Sequence, residues 1–306
     1  MTSTKARPTD PRGQLASFAS LFSPDLSAEA PLTPALRRKE RRYLFRETAL
    51  QKLRRIGLAA REAFANDGVI GWLSAADMLA RDGAIGASVL PDPANARSTP
   101  DGLCGFAEKL TPARLMEGYA CGLFPSGNIG IVKWWAPSMR ALAAPAAVSV
   151  SAEAQAALAS GALTVAFDRD FDACLLQDCD DIPLPEELRW AFARLSDAGH
   201  AHSFEARNRE GELVGGGFGV AVGSVFIVEG VFGDGLARQA ALARLAERLK
   251  AGGFDMIDAK RWYDDLGAFG FKKVPREDYN ERLARACVRA ANWRAPASQP
   301  SLRRAA

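Results

Sequence analysis

The chain has 306 residues, enough to bury a sizeable core in one large or two modest domains. Its 48% hydrophobic and 25% charged content are those of an ordinary globular protein, and a net charge of +3 is too small to mark the whole chain as a nucleic-acid binder. Five cysteines (Cys104, Cys121, Cys174, Cys179, Cys287) form no CxxC pair, and the two histidines share one predicted strand, so no zinc site is expected. No apolar run is long enough to span a membrane and no signal-peptide core is found near Met1, which makes a cytoplasmic location the default expectation.

Residues 1–34 carry five prolines among small polar residues and are expected to form a disordered tail. Ala35 to Asn66 reads as helix, with Gly57 as the weak point of a continuous run. Between Leu36 and Arg61 ten Arg or Lys stand against two Glu; that face suits RNA phosphates or simple solvation equally well. A Pro- and Ala-rich loop, Leu90 to Pro100, closes this region. Thr111-Pro112 predicts a helix start and Gly122 its end. Trp134-Trp135 sits at a strand end, where indoles usually pack a core but also stack on bases. Helices are predicted at Ala152 to Ser160, Asp170 to Gln177 and Glu186 to Ala198, with a strand at Leu163 to Phe167.

His200 to Phe232 reads as an antiparallel meander with turns at Asn208 to Gly211 and at Val222-Gly223. Strict alternation in its last run puts Val225, Ile227, Glu229 and Val231 on one face and Phe226, Val228 and Phe232 on the other. Glu229 interrupts an apolar strand, so its carboxylate must be paired, protonated or in use. Gly215-Gly216-Gly217 implies a bulge or a close approach of backbone to a ligand. His200 and His202 fall on one face beside Phe204 and suit a structural role. Gly235 to Lys250 is an amphipathic helix, and FDMIDAK a strand in which Phe254, Met256, Asp258 and Lys260 share a face. Residues two apart in a strand are about 7 Å apart, so the Asp258 and Lys260 side chains are expected to meet. Helix Arg261 to Leu266, strand Phe269 to Val274 and helix Arg276 to Val288 complete a β-α-β-α ending.

The motifs LTPARLMEGYACGLFP, WWAPSMR, AHSFEA, ELVGGGFGVAVGSVF, VEGVF, IDAK and VPREDY occur in order between Asp101 and about residue 285. In this order and spacing the chain resembles the leucyl/phenylalanyl-tRNA–protein transferases. The resemblance implies an α/β (α+β) fold, a GNAT-like mixed sheet flanked by helices, with a small N-terminal domain 96–165 and a GNAT-like catalytic domain 166–290. Residues 1 to about 95, expected as the tail 1–34 and a basic helical extension 35–95, have no counterpart in the family pattern, and residues 291–306 are expected to form a mobile C-terminal tail. The resemblance also implies transfer of leucine or phenylalanine from aminoacyl-tRNA to the N-terminal amine of a protein beginning with Lys or Arg; a monomer with no cofactor, metal or membrane partner is expected. Carried over residue by residue, the catalytic positions are Glu229, Asp258 and Lys260, the last in place of the family's Gln. The aminoacyl-tRNA-binding positions are Trp134, Trp135, Gly216, Phe218, Val231, Phe232 and Arg238, with Val231 and Phe232 lining the aminoacyl pocket. This chain departs from the family at Ser126 and at Ile182-Pro183-Leu184, where tryptophans that grip the terminal adenosine are implied, and at Arg238-Gln239 and DDLGAFGF. Two other readings remain open. One is a GNAT-type enzyme using acyl-CoA, for which Phe232 to Leu236 supplies a glycine turn but Asp234 carries the wrong charge; the other is a non-catalytic tRNA- or protein-binding relative.

Overall fold

The computed structural model of the chain describes residues 35–294 apart from 67, 86–88, 128–129 and 180–181. The expected N-terminal tail and residues 295–306 lie outside the described residues. The extension opens with α1 (Ala35–Leu44), α2 (Ala49–Asn66) and α3 (Gly68–Asp82), followed by β1 (Ala84–Ile85). The break comes at residues 45–48 instead of Gly57. Thr48 and Gln51 form a capping box there: the Gln51 amide donates to Thr48 Oγ1 (3.2 Å) and the Thr48 amide to Gln51 Oε1 (2.9 Å). Gly57 sits inside α2 with open space where a Cβ would be.

Next come β2 (Leu103–Ala107), α4 (Pro112–Ala120), β3 (Phe124–Ser126) and β4 (Lys133–Trp135). Thr111 caps α4 by accepting from the Arg114 amide, with Pro112 in its first turn. These strands form a sheet in the order β1-β2-β4-β3, so the extension contributes an edge strand to it. The chain then runs through β5 (Met139–Ala143), α5 (Ala152–Ala159), β6 (Thr164–Phe167), α6 (Phe171–Leu175), the hairpin β7 (Asp178–Cys179) and β8 (Ile182–Pro183), and α7 (Glu186–Asp197). The meander is β9 (Ala201–Arg207), β10 (Leu213–Val222) and β11 (Val225–Gly233), and α8 (Gly235–Ala251), β12 (Met256–Asp258), β13 (Lys272–Pro275) and α9 (Arg276–Cys287) finish the fold.

The large sheet has the order β13-β5-β12-β11-β10-β9-β6 and is mixed: β11 and β12, joined across α8, are parallel, while the other pairs are antiparallel. Because β5 lies in this sheet, the large sheet already draws on Met139–Ala143, ahead of the expected boundary at residue 165. Nor is the small sheet walled off, since Trp134, Leu115 and Tyr119 share one core with Phe218, Val225 and Ile227 of the large sheet. A second core fills the opposite face under α8, with Ala237, Ala241, Leu245 and Leu249 against Phe226 and Ile257.

Three local expectations change. The predicted helix Arg261 to Leu266 is a 3₁₀ segment at Asp264–Phe269, ended by left-handed Gly270, and the strand after it starts at Lys272. Residues 291–294 are no tail: Trp293 is 6% exposed, its ring stacks on Phe226 and His202, and its indole N–H donates to Asp168 Oδ2 at 2.7 Å. The basic extension is docked, with Phe45 fully buried in the shared core. Among the described residues no helix is long and apolar enough to cross a membrane.

Candidate active site

The site forms where β11 departs from regular pairing. Gly219 of β10 pairs with Val228, but Phe218 pairs with Gly230, so Glu229 is an extra residue bulged out of the ladder. A bulge reverses the alternation that follows it. Val225 and Ile227 face the shared core and Phe226 and Val228 the core under α8, whereas beyond Glu229 it is Phe232 that faces the shared core and Val231 the other. The expected grouping of Val231 with Glu229 is therefore corrected: of the two pocket candidates, Phe232 lies on the carboxylate's side of the sheet.

Glu229 is 9% exposed, and each of its oxygens has a donor. Tyr119 Oη donates to Oε1 at 2.8 Å, and Lys260 Nζ donates to Oε2 at 3.1 Å and to the Glu229 carbonyl at 2.8 Å. Lys260 thus serves both the buried carboxylate and the carbonyl of the bulged residue. It reaches them because β12 stops at Asp258 and Lys260 takes a left-handed φ of 65°. Asp258 Oδ1 holds that turn by accepting from the Lys260 amide at 2.8 Å. The side-chain meeting of Asp258 and Lys260 expected from strand geometry does not occur, because Lys260 is no longer in the strand. Asp258, fully buried, instead accepts through Oδ2 from Arg140 Nη2 and from Tyr279 Oη (2.9 Å). The Arg140 guanidinium is itself sandwiched, 4.2 Å from the Tyr279 ring centre and 5.0 Å from that of Phe124.

Burial pushes the Glu229 carboxyl pKa above its ordinary 4.5, although Lys260 and Tyr119 oppose the shift. Burial likewise drives the Tyr119 and Tyr279 phenols far upward, so both stay protonated as donors. For Arg140, burial favours the neutral form but the Asp258 carboxylate outweighs it, and the guanidinium ends more basic than usual. Two carboxylates and two cations therefore share one compact cluster. The Glu229–Lys260 end is the more open one, with 19% of the Lys260 side chain exposed.

The other expected binding residues are scattered. Trp134 is 2% exposed and packs against Gly118, where an added Cβ would come within 2.6 Å of the ring; its burial in the shared core corrects its assignment to a base-stacking position. Trp135 is half-buried beside the cluster: its indole donates to the Ser126 carbonyl (3.3 Å), and Arg261 lies 4.5 Å over its ring. Phe218 is likewise corrected to a core residue, fully buried against Phe171 and Phe192. At Gly216 (φ 141°) the close approach is by β9, since a Cβ would collide with the Phe204 carbonyl, so no ligand is needed to explain it. Arg238 is half-buried in the first turn of α8. That helix's N-terminus is occupied by Asp234, whose carboxylate accepts from the Ala237 amide at 2.8 Å, leaving the end poorly suited to a pyrophosphate. Tyr119, Arg140, Tyr279, Phe124 and Arg261 were not singled out by sequence reasoning. The first four lie inside the quoted motifs LTPARLMEGYACGLFP, WWAPSMR and VPREDY, and their place in those motifs was the available signal.

Two family models match the chain: the leucyl/phenylalanyl-tRNA protein transferase N-terminal domain over residues 108–138 and leucyl/phenylalanyl-tRNA protein transferase over residues 142–284. Relatives carrying the name leucyl/phenylalanyl-tRNA–protein transferase include one from Nitrosospira multiformis, 34% identical over 204 residues (64% of this chain, 88% of the relative), and one from Anaeromyxobacter dehalogenans strain 2CP-C, 36% identical over 206 residues (64% and 87%). Another, from Thiobacillus denitrificans, is 34% identical over 210 residues (65% and 90%). The fold, the buried carboxylate cluster and these matches place the chain among the aminoacyl-transferring enzymes. It belongs to the leucyl/phenylalanyl-tRNA–protein transferase family, and the matched segments begin after the basic extension.

Proposed function

We propose that the chain transfers leucine or phenylalanine from the 3′ end of aminoacyl-tRNA to the N-terminal amine of a protein beginning with Lys or Arg, acting as a cytoplasmic monomer and marking the acceptor for degradation. Family membership supports this reading, and the observation that carries it is the bulged Glu229 carboxylate held between Tyr119 and Lys260. The aminoacyl ester is already activated, so the enzyme has to present an uncharged amine, take its proton and stabilise an oxyanion. A carboxylate whose pKa is raised by burial is a stronger base than an ordinary one and suits the proton. The amine nitrogen bonds to the ester carbonyl carbon, the carbon–oxygen bond to the ribose breaks, and the proton taken by Glu229 passes to the departing ribose oxygen. Lys260 supplies positive charge beside the developing oxyanion. Asp258 acts as a positioning residue, fixing Arg140 and the Lys260 turn. Phe232, on the carboxylate's side of the sheet, suits the wall of the aminoacyl pocket.

The test is to incubate the purified protein with mixed charged tRNAs and peptides varied at their first residue and to identify products by mass. Leucine or phenylalanine added to Arg- or Lys-initiated peptides is expected. Transfer from acyl-CoA and from no aminoacyl-tRNA would overturn the reading.

A further inference from the structure

The densest positive charge of the chain lies in residues 35–66, and the fold fixes it in place. Arg41, 2% exposed, donates to Asp172 Oδ2 (2.8 Å) and to Asp197 Oδ2 (2.6 Å), so α1 is clamped to α6 and α7. Phe45 packs edge-on against Trp190, and its carbonyl accepts from Arg189. Further along, α2 reaches the β7–β8 hairpin through Arg54, which pairs with Asp178 at 2.9 Å. The next residue, Cys179, sits on Gly230, where an added Cβ would lie 2.5 Å from its sulfur, and Gly230 directly follows Glu229. One hairpin therefore separates the basic helix from the candidate active site.

Arg42, Arg46, Lys52 and Arg61 are exposed, and none has an ion pair among the described residues. Arg54 keeps 59% of its side chain exposed despite its partner. Of the acidic side chains described in this segment, Glu47 is taken up by Arg55, which leaves Glu40 exposed. Tyr43, 76% exposed between these cations, offers an aromatic face for a base.

We propose that the outward face of α1 and α2 is a docking surface for the phosphate backbone of the donor RNA, held beside the aminoacyl end. The proposal rests on the reading that the donor is aminoacyl-tRNA. Charge complementarity selects the occupant, because uncompensated cations along a fixed surface match a polyanion. Exposed Leu50 and Leu53 lie among the cations, so a lipid surface and a second copy of the chain are the competing occupants.

The experiment uses the full chain carrying Arg42→Gln, Arg46→Gln, Lys52→Gln and Arg61→Gln together. A second variant removes four exposed cations elsewhere: Lys250→Gln, Arg282→Gln, Arg285→Gln and Arg294→Gln. Binding of a deacylated tRNA is measured over a KCl series. The extension variant is expected to bind more weakly, with a salt slope shallower by roughly 0.7 to 0.9 for each phosphate that is no longer neutralised, while the second variant keeps the wild-type slope. Unchanged affinity and slope in the extension variant would overturn the proposal, as would equal losses in both variants. So would intact tRNA binding accompanied by abolished binding to phosphatidylglycerol vesicles or abolished self-association. Because the probe carries no amino acid, the measurement is independent of transfer. Absence of transfer with the binding loss present defeats the proposed reaction alone, whereas transfer with unchanged binding defeats only the docking surface.

Discussion

At Glu229 a single bulge sets a buried carboxylate between Tyr119 and Lys260. Removing it by Glu229→Gln is expected to lower the transfer rate by about 10² to 10⁴, the usual contribution of a general base, read as kcat with saturating donor. The same substitution has a signature in stability. The folded-state pKa of Glu229 lies above its ordinary 4.5, so the native state holds the proton more tightly than the unfolded chain. The stabilising contribution is fully present below 4.5 and is lost as pH rises through the folded-state value. Urea midpoints of wild type should therefore fall, relative to those of Glu229→Gln, as pH is raised through that window; parallel curves would show that the carboxyl is not perturbed. Lys260→Gln takes away the cation that opposes burial. The Glu229 pKa should rise further and the acid limb of the kcat/KM profile should move to higher pH. An unmoved limb would remove Lys260 from the mechanism.

Among the elements, α1 shows how burial separates two ion pairs of the same type. Arg41 is buried against Asp172 and Asp197, and Arg41→Ala leaves two carboxylates uncompensated, with an expected loss of about 3–5 kcal/mol. Arg54, largely exposed, pairs with Asp178 at a similar distance, and Arg54→Ala should cost under about 1 kcal/mol. Urea denaturation of the two variants checks the contrast, and similar midpoints would contradict it. The break between α1 and α2 was legible in the sequence as Thr48 followed three residues later by Gln51, a clearer signal than Gly57. The bulge in β11 was not legible there. It depends on how β11 registers with β10, and no residue of β11 alone shows which position is skipped.

The whole molecule is closed by its last described residues. Trp293 bridges β11, β9 and Asp168 through two stacked rings and one hydrogen bond, although its segment reads as a tail. Trp293→Ala is expected to destabilise the fold by about 3–5 kcal/mol and to lower Tm by several degrees in a thermal melt, whereas an unattached tail would give no change. The two sheets also share one core, so a chain beginning after the extension would lack Phe45 and expose what it covers.

By itself the sequence determined the local and the compositional. Thr111-Pro112 starts α4, an apolar stripe makes α8, and Glu229 and Asp258 interrupt apolar strands, which marked both as buried carboxylates in need of partners. These follow from backbone preference and burial cost, which act over a few residues. The tertiary structure alone decided which partner each carboxylate receives. Asp258 takes Arg140 from 118 positions away, and Lys260, carried out of its strand by a φ of 65°, turns to Glu229. Those pairings depend on sheet order, a bulge and one left-handed residue, and strand alternation taken alone points Lys260 to the wrong acid.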